Sequence, residues 1–110
     1  MEKVVIVVTT NEIHKKEICA YHGVAKGVVT KKPNLKQVWK SGMTFAGNND
    51  DALTNVSEEA REQAYGLMIE DAKRLGANAI IGMSYDSVSA QEGRVEVVAY
   101  GTAVTVEQVA

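Results

Sequence analysis

"IHKKEICAYHGVAKGVVT", residues 13–30, decides the fold. Lys16, Glu17, Ile18 and Ala20 tolerate a helix. Gly23 and Gly27 are poor helix interiors, and the closing "GVAKGVVT" is rich in valine and threonine, which favour an extended chain. The balance predicts a long strand from Glu17 to Thr30, bent or bulged at a glycine. The same stretch holds the chain's only cysteine, Cys19, and one of its two histidines, His22.

The flanks take their places around that strand. Before it, "VVIVV", Val4 to Val8, is a β-branched run bounded by Thr9, Thr10 and Asn11, and it reads as a strand buried on both faces. After it, "KKPN" breaks the strand, and Pro33 suits the approach to a helix. "NLKQVWKSG" fits a short helix with Leu35, Val38 and Trp39 on one side. "GNNDD" reads as a loop.

The clearest helix is "SEEAREQAYGLMIEDAKRL". Ser57 suits an N-cap, with Glu58 and Glu59 in the first turn, where negative charge complements the helix dipole. Asn55 with Glu58 is an alternative capping box. Ala60, Ala64, Leu67, Met68, Ala72 and Leu75 recur at helical spacing as the buried stripe. Lys73 and Arg74 fill the last turn, Gly76 follows as the stop, and Glu70 can pair with Arg74. Two strands close the chain, "NAIIGMSYDSV" and "VEVVAYGTAVTV", with Gly93 suited to the hairpin turn between them. In the last strand Val95, Val97, Ala99, Gly101 and Ala103 share one face, and Glu96, Val98, Tyr100, Thr102 and Val104 the other.

The order strand, strand, helix, strand, strand makes a two-layer α+β sandwich, one long helix on a mostly antiparallel sheet. A single helix covers one face. The other face carries valine, alanine and glycine rather than charge, and the sheet edges stay unpaired, so self-association is expected. At 110 residues the chain is one domain, with 45% hydrophobic and 24% charged residues, a composition that is ordinary for a globular protein and argues against wholesale disorder. A net charge of -2 argues against a nucleic-acid partner. Lysines gather in the first half, among them Lys15, Lys16, Lys26, Lys31 and Lys32. They form a solvated face, a weak anion site or a head-to-tail subunit contact. One cysteine makes no internal disulfide, and the apolar run of "MEKVVIVVTT" is too short to span a bilayer and lacks a cleavage site. Cytoplasmic residence without a membrane partner is the expectation.

Three stretches carry a resemblance: "EICAYHGVAKGVV", "AREQAYGLMIEDAKRLGANAIIGMSYD" and the closing "VVAYGTAV". They resemble the YbjQ-type family of small domains, for which heavy-metal binding has been proposed, over nearly the whole chain. The resemblance implies a dodecin-like fold, assembly as a homopentamer and a small cytoplasmic protein without established catalytic activity. Some members carry cysteine where "AYHGV" places His22. Exchange of a thiolate for an imidazole keeps a ligand while changing metal preference.

Metal ligands must converge at about 2.0–2.3 Å from one point. On a helix Cys19 and His22 would share a face. On a regular strand they point to opposite faces, unless a bulge near Gly23 re-aims one of them. His14 and His22 share a face of a straight strand but lie roughly 27 Å apart. Two ligands are too few for a structural centre, but copies of His22 around a symmetry axis would supply several. The site expectation is thus His22, with Cys19 as second donor, for a soft or borderline divalent metal. The plainer account makes Cys19 a small buried hydrophobe and His22 a hydrogen-bonded side chain.

Asp71 falls within the apolar arc of the long helix and either reaches a partner, a backbone amide or a neighbouring subunit, or lies at the rim. Asp86 and Glu92 are isolated. Trp39, Tyr21, Tyr65, Tyr85 and Tyr100 fill core and interface gaps or, alternatively, line an intersubunit cleft for a small molecule or cofactor. No phosphate-binding glycine fingerprint and no catalytic constellation stand out, so the chain is not expected to be an enzyme.

Overall fold

The computed structural model describes residues 4–32, 49–89 and 94–109. Along the chain run β1 (Ile6–Val7), β2 (Lys16–Lys31), α1 (Asn49–Arg74), β3 (Ala79–Ser89) and β4 (Val95–Gln108). The strands form one sheet in the order β1-β3-β4-β2. β4 lies antiparallel to both β3 and β2, and β1 runs parallel to β3. The order β-β-α-β-β and the mostly antiparallel sheet match the α+β sandwich expected. The short helix and Trp39, the hairpin turn with Gly93, and Glu92 lie outside the described residues.

β2 takes the extended form because β4 pairs it along nearly its full length, from Lys16↔Gln108 to Lys31↔Val95. β1 departs from the expected buried run. It is an edge strand of two residues, and Val4 before it is 79% exposed. Its alternate residues still diverge: Val5 and Val7 pack under α1, while Ile6 and Val8 pack on the opposite face.

The helix starts at Asn49, not at Ser57, so Asn49, Asp50 and Asp51 of the expected loop are helical and Ser57 is not the cap. No glycine or proline separates Asn49 from Ser57, so nothing in that stretch halts a helix once it is docked downstream. At the other end Gly76, with φ 86, donates its N–H to the Lys73 carbonyl at 3.0 Å. Ala77 donates to the Ala72 carbonyl at 3.0 Å. Together they form a Schellman stop. Arg74 pairs with Asp71 at 2.8 Å and Lys73 with Glu70 at 3.6 Å, rather than Arg74 with Glu70.

The buried stripe is narrower than expected. Ala60, Ala64, Met68 and Ala72 are fully buried, but Leu67 is 49% exposed at the margin of β2. Three alanines in that row let the helix approach closely. At Gly27, on β2, an added Cβ would meet the Ala64 carbonyl oxygen and lie 2.7 Å from the Met68 nitrogen. Under the helix sit Ala25, Val29, Ile80, Val97, Ala99 and Ala103.

Among the described residues the far face is covered at one end only. There Ala79, Ile81, Val104 and Val106 pack beneath Ile6, Val8, Ile13 and Ile18. The Asn78 side chain ties this end together: its Nδ2 donates to the Val106 carbonyl at 2.9 Å, and its Oδ1 accepts the Val106 N–H at 2.8 Å. Toward the other end Val24, Val28, Val88 and Tyr100 remain exposed.

Candidate functional site

β2 pairs β4 without a shift from Gly23↔Ala103 to Lys31↔Val95. Nearer its start the register slips twice, between Ile18 and Ala20 and between Tyr21 and Gly23. The two extra residues are Cys19 and His22. Each lacks an opposite number on β4, as the bulged residue of a strand does. Gly23, with φ 101, completes the second bulge, close to where sequence placed a bend.

The bulges overturn the simple parity of a strand. His22 Nε2 lies 2.6 Å from Thr105 Oγ1. The hydroxyl donates when Nε2 is unprotonated and accepts when it carries the proton. The Cys19 thiol donates to the Glu17 carbonyl at 3.6 Å and also lies beside Glu107. Thr105 and Glu107 are two apart on an unbulged stretch of β4, so they share a face. Cys19 and His22 therefore reach the same face, the one that α1 covers further along the sheet. Desolvation first, then the Glu107 carboxylate, pushes the Cys19 thiol above its ordinary pKa. The cysteine is nevertheless exposed, not the buried hydrophobe of the plainer account. Glu17 stands directly opposite Glu107, a like-charge pair that a sheet does not favour.

A structural zinc-type centre takes four N or S donors, and a catalytic one three. Among the described residues no group of three or more His, Cys, Asp or Glu side chains is placed to hold a metal ion. A metal at His22 Nε2 would also have to displace Thr105. The described residues of one chain thus do not complete a metal centre, although the thiol and imidazole are the right donors for a soft or borderline ion. His14 takes no part; it sits in the turn before β2.

Asp71 found the backbone partner its position called for. Its Oδ2 accepts the Lys26 N–H at 3.0 Å, and its Oδ1 accepts from Arg74 Nε at 3.0 Å and Nη2 at 2.8 Å. The Lys26 amide first, and Arg74 second, hold this carboxyl below the ordinary range. The bond clamps α1 to β2, an edge strand among the described residues. Asp86 is exposed on β3. The four tyrosines do not gather in one cluster. Tyr21, Tyr85 and Tyr100 are exposed. Tyr85 lies near Tyr65, and partial desolvation first, then Tyr65, pushes its phenol up. Thr105, Glu107 and Asn78 escaped sequence reading because only the β2–β4 and β3–β4 pairings bring them to their partners.

A bulged four-stranded sheet under one long helix defines a small α+β domain whose candidate donors, Cys19 and His22, sit on a strand rather than a loop. The sequence profile of the YbjQ-type family, described as "Putative heavy-metal-binding", matches residues 5–107. A UPF0145 protein of Legionella pneumophila (strain Lens) is 37% identical over 103 residues, 93% of this chain and 98% of that one. A UPF0145 protein of Burkholderia orbicola (strain MC0-3) is 43% identical over 87 residues, 78% and 72% of the two chains. The chain belongs to this family. A DUF74-family protein of unknown function from Pediococcus pentosaceus ATCC 25745 shares the fold, with TM-score 0.59 at 16% identity over 94% of this chain and 98% of that one. Among the described residues no helix is long and apolar enough to cross a membrane.

Proposed function

We propose that the chain is a non-enzymatic, cytoplasmic subunit of a homo-oligomer, a pentamer by family resemblance. Between its copies it holds a soft or borderline divalent metal through His22, with Cys19 as second donor. The pair of bulges carries this reading, since they turn the only thiol and an imidazole onto one face. Two donors per chain fall short of a centre, and a closed ring of copies multiplies them. The open far face, with Val24, Val28, Val88 and Tyr100, supports association. No nucleic-acid or membrane partner is needed.

Untagged protein from zinc- or copper-replete cells is expected to carry metal in fixed proportion to its subunits. His22→Ala loses the metal, and Cys19→Ser retains less of it. Metal-free wild-type protein from those cells ends the metal reading. Light scattering is expected to find an oligomer that Val98→Asp dissociates, and a compact monomer at high concentration ends the assembly reading. The exposure of Tyr21 and Tyr100 favours a second reading, in which intersubunit clefts take a planar small molecule. A co-purifying organic ligand, detected by absorbance or mass spectrometry, separates it from the first.

A further inference from the structure

We infer that the turn leading into β2 is a binding site for a small organic monocarboxylate with a short alkyl tail. Residues 13–16 form a β-turn closed by the Lys16 N–H on the Ile13 carbonyl at 3.1 Å. Lys15 has φ 61, and among the described non-glycine residues no other has a positive φ. With His14 at negative φ and Lys15 at positive φ, the turn is type II, whose third position suits glycine or asparagine. A lysine is strained there, and the Val109 N–H on the Lys15 carbonyl at 3.1 Å helps hold it. The strain presents a cationic side chain where the local backbone alone would select none.

That side chain borders a groove of about 390 Å³, near the lower end of the roughly 300–1,000 Å³ range of ligand sites. Its apolar lining is Ile13, Ile18 and Val109, and its basic lining is His14, Lys15 and Lys16. Glu12 is the one acid among its described lining residues. Apolar and cationic walls together select an amphiphilic anion. Two lysine charges against one glutamate charge suit a monoanion better than a dianion, which sets a carboxylate above a phosphate. The site is separate from Cys19 and His22: Ile13 and Ile18 pack with the far-face cluster, away from the helix side. It does not depend on metal binding.

The test is a backbone amide NMR titration of the full chain with butyrate, acetate and inorganic phosphate at fixed ionic strength. Butyrate is expected to shift the amides of His14, Lys15, Lys16 and Val109 saturably in the millimolar range. Acetate should bind about tenfold more weakly, for want of two methylenes. Lys15→Gly should weaken butyrate about threefold by removing a surface charge without lowering the thermal midpoint, because glycine suits the backbone there. Glu12→Gln should tighten it about twofold. Shifts that do not saturate, phosphate binding as tightly as butyrate, or an unchanged affinity in Lys15→Gly overturns the proposal.

Discussion

From Val24 to Lys31, β2 alternates as an ordinary strand. Ala25, Gly27 and Val29 lie buried under α1, and Val24, Lys26 and Val28 point the other way. From Lys16 to Gly23 the same strand carries two extra residues, and its polar side chains reach across β4 instead of meeting the helix. The regular half, Val24 to Lys31, is built for close approach: small residues, a fixed register and an edge amide clamped by Asp71. The bulged half, Lys16 to Gly23, breaks register and tolerates opposed carboxylates, and it holds the one thiol. Stability and candidate chemistry thus sit in different halves of one strand. Substitutions in the regular half should unfold the protein, while those in the bulged half should change reactivity and spare the fold.

The largest effect is expected at Gly27. Gly27→Ala drives a methyl into the helix backbone at Ala64 and Met68, and should cost about 3 kcal/mol in urea denaturation. A cost near zero would mean that α1 is not seated on β2 as described.

Asp71→Asn comes next. It weakens the bonds to Lys26 and Arg74 and should cost about 1 kcal/mol at neutral pH. The pH dependence has a definite sign. The folded-state pKa of Asp71 is lowered, so its contribution is present above the unfolded value of about 3.9 and is lost as the pH falls through the folded value. The stability difference between wild type and Asp71→Asn should therefore shrink with acidification over that window.

The smallest effect on stability is expected in the bulged half. Glu107→Gln removes the like-charge partner of Glu17 and the carboxylate beside Cys19. The denaturation midpoint should not fall, and the pH profile of Cys19 alkylation should move toward lower pH. An unmoved profile would separate Cys19 from Glu107 and remove the argument that the thiol and His22 share a face.

Much of the fold was legible in the sequence. The glycines, valines and threonines of residues 23–30 mark an extended chain, the four-residue alanine repeat marks the helix face, and "LGAN" marks where the helix stops. The start of α1 was not legible, because Ser57 and Asn55 are good caps that are also tolerated inside a helix. Leu67 was placed in the core by periodicity, but a stripe of small residues draws the helix close along one narrow row and leaves its neighbour at the edge.

The site was legible only as a question. Sequence could name Cys19 and His22 and state that a regular strand parts them. Whether they are parted depends on register, which is a property of two strands and not of one. β4 supplies Thr105 and Glu107, and the slips that bring Cys19 and His22 to them exist only because β2 has two more residues than β4 over the same length. Local composition sets which segments are helix and strand, since backbone propensity and apolar spacing act over neighbours in the chain. Which side chains meet across the sheet was decided by pairing between residues about eighty positions apart, and no local pattern encodes that.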